Sequence, residues 1–144
     1  MSTEQNKQNV RRAFDEFINK KNLAAAAEYL APDYVGHFTG APPVKGIAAF
    51  QQYLTMWHTA IPDSTATVEE VFADGDRVAA RVTFRGTHTG PLMNIPPTGK
   101  SVTVSSINVF RYANGKAVEQ WANNDDLGMM QQIGVIPAPK QGQS

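Results

Sequence analysis

Helical periodicity and strand-like alternation are segregated along this chain, and that order constrains its fold more than any single residue does. Up to Pro62 the apolar residues recur at helical spacing. Val10, Ala13, Phe14, Phe17 and Ile18 follow i, i+3, i+4, i+7, i+8 and predict an amphipathic helix over Thr3–Asn19. Ser2 or Thr3 is suited to cap it, and Lys20-Lys21-Asn22 complements its C-terminal end. A short alanine-rich helix, Leu23–Leu30, stops before Pro32, and Tyr34–Phe38 reads as a short strand. Gly40–Gly46, with two prolines, reads as a loop. Ile47, Phe50, Leu54 and Trp57 place a third helix over Ile47–Ala60.

Beyond Pro62 the period changes to two. Ala66–Phe72 leads into an Asp74-Gly75-Asp76 turn, and Arg77–Arg85 sets Val78/Ala80/Val82/Phe84 against Ala79/Arg81/Thr83/Arg85. A Gly/Pro-rich loop, Gly86–Gly99, precedes Ser101–Tyr112. Ala113-Asn114-Gly115 is a hairpin signal feeding Lys116–Asn123. Helices followed by consecutive antiparallel strands make an α+β chain. A strongly curved antiparallel sheet closed by the three N-terminal helices leaves a conical interior that side chains do not fill. Polar residues on its inner face then mark a ligand pocket.

The chain has 144 residues, enough for one domain with a real core, expected over residues 1–136 with a disordered tail over 137–144. Thirteen basic and thirteen acidic residues cancel, so no global field favours nucleic acid or an anionic membrane. There is no cysteine, which removes disulfides, thiolate catalysis and thiolate metal sites. MSTEQNKQNV has no apolar core of a signal peptide, and no stretch reaches bilayer-spanning length; the expectation is a cytoplasmic protein. A sheet with one face covered by helices leaves apolar strand residues on the other, which predicts a homodimer.

The segment Ala117–Gly134, AVEQWANNDDLGMMQQIG, carries the most chemistry. If its strand persists, Trp121, Asn123 and Asp125 share a face. They would supply an apolar wall, an amide and an acid–base carboxyl. The other reading makes Asp125 or Asp126 the N-cap of a helix over Leu127–Ile133.

The chain resembles the SnoaL-like polyketide cyclases, within the nuclear-transport-factor-two-like cone-fold superfamily. The resemblance rests on segments in matching order: Tyr34-Val35-Gly36-His37, Ile61-Pro62-Asp63, the run Asp74 to Arg81, Gly86-Thr87-His88-Thr89-Gly90, Pro96-Pro97-Thr98-Gly99-Lys100, Asn114-Gly115-Lys116, Glu119-Gln120-Trp121 with Asp125 four residues on, and Gln131-Gln132-Ile133-Gly134. They span about Asn9 to Gly134. The resemblance implies a cone-shaped α+β barrel, a dimer through the outer sheet face, no metal and no organic cofactor. It also implies an aspartate that does acid–base chemistry in the intramolecular aldol closure of a polyketide ester. The matching position is Asp125, with Asp126 as its neighbour. The family often has histidine before the tryptophan, where this chain has Gln120. Fold transfers across such a family better than reaction does.

An aldol closure needs a base for a proton flanked by carbonyls and an acid for the forming alkoxide. One carboxyl with a raised pKa serves both steps. Burial of Asp125 beside Trp121 would raise it. His88, in its Gly-Thr-His-Thr-Gly segment, is placed either to donate to a substrate oxygen or to bond backbone. His37 is a second polar candidate at a strand end. Arg81 either anchors an ester oxygen or faces outward. Trp57 lies among core aromatics that also form a pocket wall, and Met93 with Pro91, Pro96 and Pro97 forms a rim. His58 reads as structural. The three histidines are too far apart in sequence to suggest a metal site. The expected partner is a hydrophobic small molecule, and two functions remain: a cofactor-independent lyase or isomerase such as a polyketide cyclase, or a non-catalytic binding module on the same cone.

Overall fold

A computed structural model describes residues 2–137; the expected tail lies outside the described residues from 138 onward. Helix α1, Thr3–Phe14, begins where the Ser2 hydroxyl accepts the Gln5 N–H at 3.1 Å. It buries Val10, Ala13 and Phe14, then continues as a π-helical turn, Asp15–Asn19. The wider turn keeps Phe17 and Ile18 both in the core, where the Phe17 ring meets Phe50 at 5.1 Å and Tyr29 at 5.6 Å. The expected second helix splits into a 3₁₀ turn, Leu23–Ala25, and α2, Ala26–Tyr29. Helix α3, Ile47–Ala60, matches its expected bounds and buries Phe50, Leu54 and Ala60.

The sheet has six strands: β1 Leu30–Phe38, β2 Val44–Lys45, β3 Thr65–Asp74, β4 Arg77–Thr87, β5 Ser101–Ala113 and β6 Lys116–Asn124, in the order β2-β1-β6-β5-β4-β3. β2 and β3 are free edges, so the sheet curls without closing into a barrel. The sheet is antiparallel except that β1 runs parallel to β6. The helical segment α3 intervenes between β1 and the meander, which allows this crossover. β1 also starts four residues earlier than its alternation suggested, and β2 forms within the expected loop. Asn114 and Gly115 both have positive φ, 53° and 80°, as a two-residue hairpin turn requires.

Register organises the two faces into rows. Phe38, Ala122, Asn108, Ala80 and Val71 form one row toward the helices. Gly36, Gln120, Phe110, Val78 and Ala73 form the next, deeper row. On the outer face His37, Trp121, Val109, Ala79 and Phe72 line up. A bulge at Val118, opposite the Arg111–Tyr112 step, lets Ala117 and Gln120 both point inward. That extra residue is why the Trp121 face of β6 ends up outside the cone.

A fourth helix, α4, Asp126–Gln132, closes one end. Asp125 caps it, accepting the Gly128 N–H at 2.9 Å, and a side chain at Gly128 would collide with that carboxylate. Met129 and Ile133 seal it against Val102 and Val104 of β5. None of the helices among the described residues is long and apolar enough to cross a membrane.

Candidate functional site

Between the helices and the inner sheet face lies a cavity of ≈ 390 Å³. Its wall is mostly apolar, with Phe14, Phe17, Phe50, Phe84 and Phe110 from five elements. Phe14 meets Phe110 edge-on at 5.9 Å, and Tyr34, behind the wall, meets Phe50 edge-on at 5.5 Å.

One polar ladder crosses this wall. The Tyr34 hydroxyl donates to Gln120 Oε1 at 2.6 Å, and Gln120 Nε2 donates to Asn108 Oδ1 at 3.0 Å. Asn108 Nδ2 donates to Ser106 Oγ at 2.9 Å, and Ser106 donates to Asn124 Oδ1 at 2.6 Å. Gln120, Asn108 and Asn124 line the cavity. Every member is uncharged, as burial demands of groups that cannot be paired with ions. Burial holds the Tyr34 phenol well above the ordinary tyrosine range, so it stays protonated and donates.

The wall carries a further polar group where α4 begins. Asp126, the first residue of α4, is the single charged residue among those lining the cavity. It lies by the Thr39–Ala41 turn and close enough to Tyr53 to act on it: burial, then the negative charge of Asp126, pushes the Tyr53 hydroxyl up to about 12. Tyr53 and Asp126 thus both line the cavity, one a phenol that stays protonated and the other a carboxyl group. Trp57 lines the same wall, and its Nε1 is buried without a hydrogen-bond partner among the described residues. Leu92 and Met93 border the same space, where the rim was expected, and Met93 is exposed. The loop carrying them is tied to α3 by Thr89 and Gly90, whose N–H groups both donate to the Ala60 carbonyl.

Of the seven residues given a catalytic or substrate-binding role from sequence, Asp125, His88, His37, Trp57, Arg81, Trp121 and Asn123, Trp57 alone lines this cavity. The carboxyl of Asp125, expected inside the cone, is exposed and occupied with the α4 cap; its neighbour takes the inward position. The reason is the strand's end: backbone leaves β geometry at Asp125, so face alternation no longer applies. Trp121 and Asn123 do share a face, but it is the outer one. There Trp121 stacks on His37 at 5.6 Å, and the Arg77 guanidinium sits 5.2 Å over its ring. His37 Nε2 bonds Glu119 at 2.7 Å, and Arg81 bonds Glu70 at 2.8 Å, both outside. His88 is fully buried but away from the cavity wall; the Thr98 backbone N–H donates to its Nδ1 at 3.3 Å. His58 Nε2 donates to the Phe17 carbonyl at 2.7 Å, tying α3 to the π turn. Among the described residues no group of three or more His, Asp or Glu is placed to hold a metal ion.

Sequence reasoning passed over Ser106, Asn108 and Asn124, and noted Gln120 only as standing where the family often has histidine. A signal for two of them was present: Ser106 and Asn108 interrupt the alternating set Val102, Val104, Phe110, Tyr112 at inward positions of β5.

Comparison with known proteins agrees with this architecture. Residues 8–133 match the family described as SnoaL-like polyketide cyclase. The chain is 31% identical over 110 residues to the nogalonic acid methyl ester cyclase of Streptomyces nogalater, covering 74% of this chain and 81% of that one. It is 30% identical over 127 residues to an aklanonic acid methyl ester cyclase of Streptomyces sp. strain C5, covering 85% and 78%. A SnoaL-like protein from Jannaschia sp. CCS1 superposes with a TM-score of 0.86 at 27% identity, covering 94% of this chain and 95% of that one. The curled sheet, its helical cover and the match along most of the chain make this protein a member of the SnoaL-like polyketide cyclase family.

Proposed function

We propose that this protein is a cofactor-independent cyclase, or a related lyase or isomerase, that acts on a hydrophobic carbonyl compound of the polyketide ester type in the cone cavity. The observation that carries the reading is one carboxyl group, Asp126, on an otherwise uncharged cavity wall that Tyr53 also lines. In this reading Asp126 takes the role that the family pattern gave to Asp125. Its carboxylate removes a proton from carbon between two carbonyls. Tyr53 and the Asn124 amide donate to the enolate oxygen while the carbanion carbon attacks a second carbonyl carbon. A carbon–carbon bond forms, and the protonated Asp126 returns its proton to the new alkoxide, so the product is an isomer of the substrate. The relatives named as cyclases of nogalonic and aklanonic acid methyl esters support a substrate of that class.

The test is chromatographic turnover of nogalonic acid methyl ester, read as an isomer of unchanged mass. Asp126→Asn is expected to lower kcat by about 10²–10⁴-fold, the usual worth of a general acid–base group, with ligand affinity retained. Asp125→Asn is expected to keep activity, because asparagine caps a helix nearly as well as aspartate. Loss of activity in Asp125→Asn alone overturns the assignment. The second reading, a binding module, is favoured by the wholly neutral ladder from Tyr34 to Asn124. It wins if the ester binds and the wild type forms no isomer above the uncatalysed rate.

The reading also pairs two copies through the outer face, where Phe72 and Ile107 are exposed, and places the protein in the cytoplasm. Light scattering is expected to give twice the 15.7 kDa chain mass, and a monomer mass would overturn the pairing.

A further inference from the structure

We propose that Tyr34, which does not line the cavity, is a positioning residue that fixes the polarity of the amide ladder so that Asn124 presents N–H donors, and therefore selects ligands bearing a carbonyl acceptor at that end. The proposal rests on the cavity being the ligand site, as in the function proposed above.

Each link of the ladder is an amide or a hydroxyl, and each of these can reverse its hydrogen-bonding sense. Two senses of the whole chain are therefore available. In one, Tyr34 donates to Gln120, the donation passes through Asn108 and Ser106, and Asn124 accepts with Oδ1. Asn124 Nδ2 is then left free for the cavity that Asn124 lines. In the other, Asn124 donates to Ser106, every amide turns over, and Gln120 donates to Tyr34. The cavity would then meet a free carbonyl oxygen instead.

Tyr34 decides between them. It is fully buried, with the Gln120 amide as its hydroxyl's hydrogen-bond partner and Phe38 and Phe50 around its ring. In the second sense its O–H proton has no acceptor, which a buried hydroxyl cannot tolerate cheaply. Burial keeps the phenol from ionising to escape the conflict. The carrier of the decision thus lies four hydrogen bonds from the group that meets the ligand. A ligand presenting a carbonyl or ester oxygen to Asn124 accepts from its Nδ2, and one without an acceptor there leaves that donor unpaired.

The first measurement needs no variant. Side-chain amide NMR of the ligand-free protein is expected to show Asn124 NH₂ protons with contacts to cavity side chains and Asn108 NH₂ protons with contacts to Ser106. Asn124 NH₂ bonded to Ser106 would overturn the proposal. The second uses Tyr34→Phe, which keeps the ring and removes the lock. The Gln120, Asn108 and Asn124 amide signals are expected to double or broaden as both senses become populated; sharp, unmoved signals in a folded variant would overturn it. The third compares two probes of the same shape, 2-acetylnaphthalene, which carries a carbonyl acceptor, and 2-isopropylnaphthalene, which carries none. The wild type is expected to bind the ketone about fivefold tighter, the worth of one net hydrogen bond, and Tyr34→Phe to bring the ratio near one. A merely structural role would weaken both probes equally and leave the ratio alone, which would sink the assignment. If the Asn124 contacts hold while Asp126→Asn leaves turnover unchanged, the catalytic reading fails and the polarity of the wall stands.

Discussion

Strand β6 carries polar side chains on both faces, and the two sets solve the same problem in opposite ways. Inward, Gln120 and Asn124 are neutral and bonded to other neutral groups. Outward, Glu119 bonds His37 and Arg111, and Trp121 lies between His37 and Arg77. Desolvation explains the division. A carboxylate in the inner row would lose its water for amide partners alone, whereas outside it keeps solvent and gains cations. The inner face therefore holds polarity without charge, and Asp126 escapes this rule because it sits at the end of a strand on the first turn of a helix. There the orphan N–H groups favour a negative charge.

The largest effect that would break this comparison comes from equal truncations on the two faces of β5. Phe110 is buried against Phe14, and Ile107, three residues earlier, is 51% exposed. Phe110→Ala is expected to lower unfolding free energy by about 3–5 kcal/mol, as a core aromatic truncation does. Ile107→Ala should stay within about 0.5 kcal/mol at concentrations where the chain is monomeric. Urea titrations with unchanged m-values check both, and comparable losses would mean that the outer face is as packed as the inner.

Next in size is a charge moved from outside to inside. Gln120→Glu adds an ionisable group to the buried row, and burial raises a carboxyl's folded pKa above its unfolded value. Such a group is tolerated below the unfolded pKa, where it is neutral in both states, and stability is lost as pH rises toward the folded value. The variant is expected to be near wild type at about pH 4, where the neutral acid can still donate to Asn108. At about pH 8 it should be less stable by roughly 3 kcal/mol, the worth of a shift of about two pH units. A flat difference across that range would show that Gln120 is solvated. Smaller again is Gly128→Ala, whose new methyl collides with the Asp125 carboxylate and removes the α4 cap. A loss of about 1 kcal/mol is expected, read as thermal destabilisation, and Asp125→Asn should lose almost nothing.

These residues also show what the sequence could carry and what it could not. The order of elements, the β4 alternation and the Asn114-Gly115 turn are local properties, and they appear in the structure where periodicity placed them. Which face of β6 points inward is not local. It depends on the bulge at Val118 and on pairing Gln120 with Phe110, partners ten residues apart. Trp121 drew attention as the largest side chain on the strand, yet its bulk is accommodated by stacking outside. Tyr34 and Gln120 are 86 positions apart, and their hydrogen bond exists because β1 lies parallel to β6, a pairing that alternation cannot reveal. The fold was therefore recognisable as a family property before the lining of its cavity was: alternation put Asp125 inside, and Asp126 is the residue that lines the wall.

The smallest expected effect sharpens the comparison from the outer side. Glu119 faces His37 from β1 and Arg111 from β5, and the hydrogen bond from His37 is the first cause holding its carboxyl below the ordinary range. A carboxyl with a lowered folded pKa contributes stability that is present above its unfolded pKa and lost as pH falls through the folded value. Glu119→Gln is therefore expected to be slightly less stable than wild type at neutral pH and to converge with it in acid, the opposite pH course to Gln120→Glu. The group is solvent-accessible, so the neutral-pH difference should shrink when salt is raised to about 1 M, where screening acts within about 3 Å. Thermal melts at both pH values and both salt levels read it directly. A difference that resists salt and grows with protein concentration would mean that Glu119 loses its water against a second copy of the chain, which is what the proposed dimer through this face requires. A difference that resists salt at every concentration would instead mean that the monomer already buries this cluster, and the contrast between the two faces of β6 would fail.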